Sequence, residues 1–257
     1  MSSSPTRRRE GARTRPSAKA AEKKSPRSLE DDVQAALSSL EQMSTQRDRD
    51  NLARFGIAAN KAFGVSMSNI QVLARRLGRN HALAAALWKT GWYEARMLTS
   101  FVDDPARVTP AQMDRWCRDF DNWGICDTVC FHLFDRTPHA WHKVVEWCDQ
   151  RDEFVKRAGF ALLWGLTVHD KLADNEPFAN GLRLVERAAT DERHFVKKSV
   201  NMALRAIGKR NRALNAAATA VARRLAASPQ PAARWVGKDA LRELASPSVI
   251  RRLATKR

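Results

Sequence analysis

Apolar residues recur every three to four positions from Leu29 almost to the C-terminus, and no convincing stretch alternates with period two. Leu29, Val33, Ala36, Leu37 and Leu40 trace one face of a first helix. Glu30, Asp31 and Asp32 occupy its first turn, where negative charge meets the positive end of the helix dipole. A second helix is predicted from about Asp48 to Asn60. Phe63-Gly64-Val65-Ser66 then breaks the period, and Ser66 or Ser68 is placed to cap a helix over Ile70 to Leu77. His81 to Trp88 and Trp92 to Phe101 read as two further short helices. Pro105 and Pro110 bracket a loop, and Pro110 suits the first turn of the helix leading to Phe120. Pro138 opens another helix, and Glu153 to Val168 is the next strongly apolar one. Gly and Pro stand between helices, not in hairpin turns, so the predicted fold class is all-α.

The C-terminal half repeats itself. Phe154-Val155-Lys156-Arg157, Phe195-Val196-Lys197-Lys198 and Trp235-Val236-Gly237-Lys238 each place an aromatic, then Val, then a base three positions after the aromatic. The steps are 41 and 40 residues, and weaker matches start at Trp123 and Tyr93. Such periods in helical sequence imply stacked helix pairs, a HEAT-like solenoid. Stacking would align Arg157, Lys198 and Lys238 as a basic ladder. Arg205, Lys209 and Arg212 join Lys198 at helical spacing, and Arg234 and Arg242 join Lys238. Two readings stand: ordinary solvated helix faces, or a curved solenoid whose basic concave face cradles a nucleic-acid backbone.

The charge favours the cradle. The chain carries a net +17 at a pI near 10.6, which makes a polyanion the default partner. Residues 1–27 hold nine Lys/Arg against Glu10 and Glu22, a surplus of +7 that leaves +10 for the remainder. Residues 1–28, rich in Ser, Pro, Arg and Lys without an apolar period, are expected to be a disordered basic tail. Residues 29–257 are expected to form one solenoid domain. No apolar run approaches a membrane span and no secretory core follows Met1. Cys117, Cys126, Cys130 and Cys148 form no C-x-x-C pair. Cys126 and Cys130, one turn apart near His132, make a metal cluster conceivable, but the four fit better as buried thiols of a cytosolic protein.

Asp119 to Cys130 (DFDNWGICDTVC) is the densest stretch of chemistry. Trp123 and Asp127, four apart, share a helix face. An aromatic ring beside a carboxylate suits a cationic or electron-poor ligand. The same residues also fit a plain helix start, with Asp121 or Asn122 as cap and Trp123 as core.

From about Leu52 to Leu244 the chain resembles the DNA alkylation repair (AlkD-like) glycosylases, which are HEAT-like solenoids. The segments that carry the resemblance are DNWGICD (Asp121–Asp127), FVKRAGFALL (Phe154–Leu163) and HFVKKSVNMALR (His194–Arg205). The resemblance implies hydrolysis of the N-glycosidic bond of N3- or N7-alkylated purines in double-stranded DNA. It implies Asp127 as catalytic carboxylate with Trp123 beside it. Arg157, Lys198, Met202, Arg205, Lys238 and Arg242 would then contact DNA, without metal or organic cofactor. The chain departs from the family pattern twice. Met202 stands where a second aromatic wall is expected, and Gly124 where an acidic residue often follows the Trp. The competing expectation is a HEAT-like module of the same family that binds DNA without cutting it. Either way a nucleoid-associated cytoplasmic monomer is expected.

Overall fold

Many of the helices start where a short polar side chain takes the first free N–H groups. In the computed structural model, which describes residues 1, 27–58 and 60–255, Ser28 opens α1 (Leu29–Gln42) with a reciprocal capping box to Asp31. Thr45 caps α2 (Gln46–Arg54), Ser66 caps α3 (Met67–Leu77) and Asn80 caps α4 (His81–Lys89). After α5 (Tyr93–Val102), Thr109 and the first-turn Pro110 start α6 (Pro110–Arg118). Asn122 caps α7 (Trp123–His132), a short 3-10 turn follows at Phe134–Arg136, and α8 spans Ala140–Cys148. Asp152 caps α9 (Glu153–His169), the longest helix described. The chain closes with α10 (Asn175–Ala188), α11 (His194–Gly208), α12 (Arg212–Ala226), α13 (Pro231–Leu244) and α14 (Pro247–Thr255).

There is no strand among the described residues. The predicted tail lies almost wholly outside them. The second helix is shorter than its apolar pattern predicts: it ends at Arg54 because Gly56 turns the chain with φ of 69°. The following loop is tied down by Glu94, whose buried carboxylate accepts the backbone N–H groups of Phe63, Gly64 and Val65 at 2.9, 2.7 and 3.2 Å.

The helices sort into two layers by turns. α3, α5, α7, α9, α11 and α13 each pack on the next. α4, α8, α10 and α12 back α5, α9, α11 and α13 respectively. This is the HEAT-like solenoid, and its core runs between the layers through Met113, Phe134, Phe160 and Phe178, all fully buried. Two glycines set how closely the layers approach. A Cβ on Gly159 would stand 2.7 Å from the backbone nitrogen of Cys148, and one on Gly237 2.2 Å from that of Ala226. The repeat read from sequence is the step along the odd-numbered layer. Phe154 and Phe195 meet across α9 and α11 with ring centroids 5.2 Å apart.

Candidate nucleic-acid interface and active site

α7 owes its position to Asn122, whose side-chain oxygen accepts the Ile125 N–H at 3.0 Å. Trp123 therefore begins the helix, and Asp127 follows one turn later on the same face. The Trp123 indole N–H donates to the backbone oxygen of Phe55, 3.0 Å away in the turn after α2. Asp127 caps nothing. Its two oxygens accept from Arg157 of α9, Nη2 at 2.6 Å and Nε at 2.9 Å. The remaining Arg157 terminal nitrogen, Nη1, donates to the backbone oxygen of Phe195 at 2.8 Å. One guanidinium thus links α7, α9 and the first turn of α11.

Burial pushes the Asp127 carboxyl above its ordinary range, and the Arg157 guanidinium acts in the opposite sense as its counter-charge. The Asp127 side chain is 15% exposed, against 6% for Arg157, so the carboxylate is the more accessible partner. Beside the pair lies a cavity of about 290 Å³ lined by Phe55, Trp123, Arg157, His194, Phe195 and Lys198. Asp127 does not line it.

The ladder read from sequence needs correction. Arg157 is buried, with 5% exposure, and its donors go to a carboxylate and a carbonyl, so it is not a free phosphate ligand. Arg205 forms ion pairs with Glu243 at 2.6 Å and Asp239 at 3.3 Å, and the exposed Arg242 pairs with Asp239. Arg212 donates to the carbonyls of Leu253 and Ala254 at the end of α14, and Arg234 to those of Ser228 and Pro229. Lys198 and Lys238 remain as exposed cations, and Lys198 lies 4.7 Å from the Trp235 ring centroid.

Both departures from the family pattern acquire a physical setting. A Cβ on Gly124 would come within 2.7 Å of the Tyr93 hydroxyl and 3.0 Å of the Ile57 side chain, so the space an acidic residue would need is filled. Met202, half-buried one turn beyond Lys198, packs against the core and does not line the cavity. The other aromatic residues lining the cavity with Trp123 are Phe195 and Phe55. Phe195 was signalled by its place in the repeat. Phe55, 68 residues before Trp123 in the chain, carried no local signal.

The four cysteines are buried, and burial drives the Cys117 and Cys130 thiols up. Cys126 and Cys130 face the backbone oxygens of Phe154 and Ala158 between α7 and α9. Among the described residues no group of three His, Cys, Asp or Glu could hold a metal ion, and no helix is long and apolar enough to cross a membrane.

Comparison with known proteins bears on this arrangement. In solved structures the chain overlaps a protein described as one of a new family related to the HEAT-like repeat DNA glycosylases, with affinity for branched DNA structures. The TM-score is 0.70 at 20% identity, covering 82% of this chain and 94% of the other. A designed armadillo repeat protein overlaps 86% of this chain and 96% of its own, with a TM-score of only 0.37 at 15% identity. No curated protein matches the sequence. The family model of the DNA alkylation repair enzymes matches residues 36–244, most of the two-layered body, with Trp123, Asp127, Arg157, Lys198 and Lys238 inside the match. The chain belongs to the DNA alkylation repair enzyme family.

Proposed function

We propose that the protein is a DNA glycosylase that hydrolyses the N-glycosidic bond of N3- or N7-alkylated purines. The observation that carries the reading is Asp127: a carboxylate furnished with its own counter-charge, one turn from an indole, whose partner Arg157 and neighbour Trp123 line an aromatic cavity. An alkylated purine is already cationic and leaves without an acid to protonate it. The demand on the protein is negative charge where the deoxyribose becomes oxocarbenium-like and a position for the attacking water, and a fixed carboxylate supplies both. Trp123 and Phe195 would contact the cationic nucleotide through their ring faces. Lys198 and Lys238 would hold flanking phosphates. Arg157, buried under the carboxylate, acts through Asp127 as a positioning residue.

A second reading, a DNA-binding protein of the same family without hydrolytic activity, draws on the same ion pair: a carboxylate held by two hydrogen bonds has less charge to offer a sugar. The similar protein with affinity for branched DNA supports a binding role as well. Release of 7-methylguanine and 3-methyladenine from alkylated duplex DNA, measured for wild type and Asp127→Asn, separates the two. The proposed activity requires release by wild type and its loss in the variant. Binding without release by wild type selects the second reading.

A further inference from the structure

The far end of α7 carries a second cluster that the proposed site does not use. Four rings form a row across three consecutive helices of the odd-numbered layer. Phe101 of α5 meets His132 of α7 at 4.7 Å between centroids, and His132 meets its neighbour Phe131 at 5.2 Å. Phe131 stacks on Trp164 of α9 at 4.2 Å with 28° between planes. His169, at the end of α9, lies 4.5 Å from Phe131. All are half-buried, unlike the fully enclosed rings of Phe134, Phe160 and Phe178.

Beside the row opens a cleft of about 450 Å³ whose lining includes Phe101, His132, Arg75, Arg79 and Arg136. No carboxylate lines it. Arg79 donates to the Asp103 carbonyl, and Arg136 lies 3.9 Å from Asp135, a group outside this cleft. Arg75 is exposed. Burial, with the nearby Arg136 and His169, holds His132 below its ordinary range, which leaves its ring neutral and apolar-faced near neutral pH.

We propose that this row of rings and its arginine cleft form a stacking platform for an unpaired stretch of DNA. Rings at stacking height select bases that are free to stack, and the guanidinium groups track the accompanying phosphates. Paired bases in a duplex have no free face to offer, so the platform discriminates by strandedness. Trp123 and Phe131 are eight residues apart on α7, a little over two turns and about 12 Å along its axis at 1.5 Å per residue. At about 3.4 Å per stacked nucleotide, a strand engaged at Trp123 reaches the platform within roughly four nucleotides. The polymer's being DNA rests on the proposed function; the platform's geometry does not.

The test uses the full chain and a labelled 12-nucleotide thymidine strand carrying 5-iododeoxyuridine. Photo-cross-links are expected at Phe131, His132 or Trp164. Arg75→Glu with Arg136→Glu, both at exposed positions, should weaken single-strand binding by about tenfold or more. Release of alkylated bases from duplex DNA by that variant should be unchanged. Phe131→Ala should weaken binding by roughly 5- to 150-fold, the range for loss of one stacked base. If that variant does not fold by circular dichroism, the charge-reversal pair still decides. Cross-links confined to Trp123 and Phe195, or unaltered affinity in the charge-reversal variant, overturns the platform. So does tighter binding of the matching uridine strand, which would make the ligand RNA. Normal cross-links without base release would instead count against the glycosylase reading alone.

Discussion

Asp127 and Arg157 stand 30 residues apart in the chain and share two hydrogen bonds of 2.6 and 2.9 Å between α7 and α9. The pair gives the carboxylate a fixed direction and a counter-charge at once, and it binds structure to chemistry at a single contact. Asp127→Asn should therefore have two effects. Excision should fall on the order of a hundredfold or more, as when a preorganised electrostatic group is lost. Stability should fall too, because a buried guanidinium loses its partner charge; removing one member of such a pair costs about 3–5 kcal/mol at the upper end. Arg157→Lys should lower stability and excision together, since an ammonium cannot reproduce the two-pronged contact. Urea melts beside base-release rates check both. An Asp127→Asn protein that excises at the wild-type rate removes the residue from the chemistry.

The exposed lysines and the paired arginine make opposite predictions. Lys198→Ala and Lys238→Ala should each weaken DNA binding for all sequences alike and reduce the salt slope by about one. Arg205→Ala should leave the slope unchanged, because Asp239 and Glu243 already neutralise that guanidinium. Binding titrations across a series of salt concentrations decide. Slopes equal to that of wild type for all three variants would mean that none of these residues meets a phosphate.

Gly124 offers a structural test. Gly124→Glu restores the acidic residue common in the family but drives a side chain into the Tyr93 hydroxyl. Overpacking of that kind costs about 1–3 kcal/mol. Gly124→Glu with Tyr93→Ala should recover part of the loss if the clash is its source. A double variant no more stable than expected from the two single changes places the strain elsewhere.

Asp135 sets a pH dependence. Its side chain is fully buried and contacts His169, and burial raises its carboxyl from 3.8 to about 6. The native state then holds this proton more tightly than the unfolded chain does. The contribution is complete below the unfolded value near 4 and disappears as pH rises through about 6. Asp191 and Glu186, held low by Arg193 and Arg224, act oppositely and only at more acidic pH. Urea midpoints should rise as pH falls from about 7.5 to 5.5, by about 0.8 kcal/mol of stability, the first part of the roughly 3 kcal/mol that the whole shift is worth at 1.36 kcal/mol per unit. Asp135→Asn should flatten that rise. An equal rise in the variant assigns it to other groups.

The helical period, the caps at Asn122 and Ser66 and the roughly 40-residue step were legible because each is local or repeats. The partners of the cations were not. Arg157 reads as the equivalent of Lys198 and Lys238, yet one repeat earlier it has an acidic residue within reach and they do not. The carboxylates that neutralise Arg205 lie 34 and 38 residues downstream, on α13, and no local spacing links them to it. The aromatic wall at Phe55 comes from a turn whose position is set by Gly56 and by a single hydrogen bond to Trp123. Periodicity reports which face a residue occupies. It does not report what waits on the next helix.

The side-chain-to-backbone bridges along the odd-numbered layer give the molecule a mechanical character. Arg157 reaches the Phe195 carbonyl on α11, and Asn201 of α11 reaches the Val236 carbonyl on α13. Each bridge is a stay that fixes the pitch between successive coils of a spring. The stay at Arg157 is anchored on Asp127, so it ties the pitch of that coil to the residue where the chemistry is proposed. Whatever engages that carboxylate also loads the stay, and bending stiffness at this coil becomes a readout of occupancy carried by the superhelix itself.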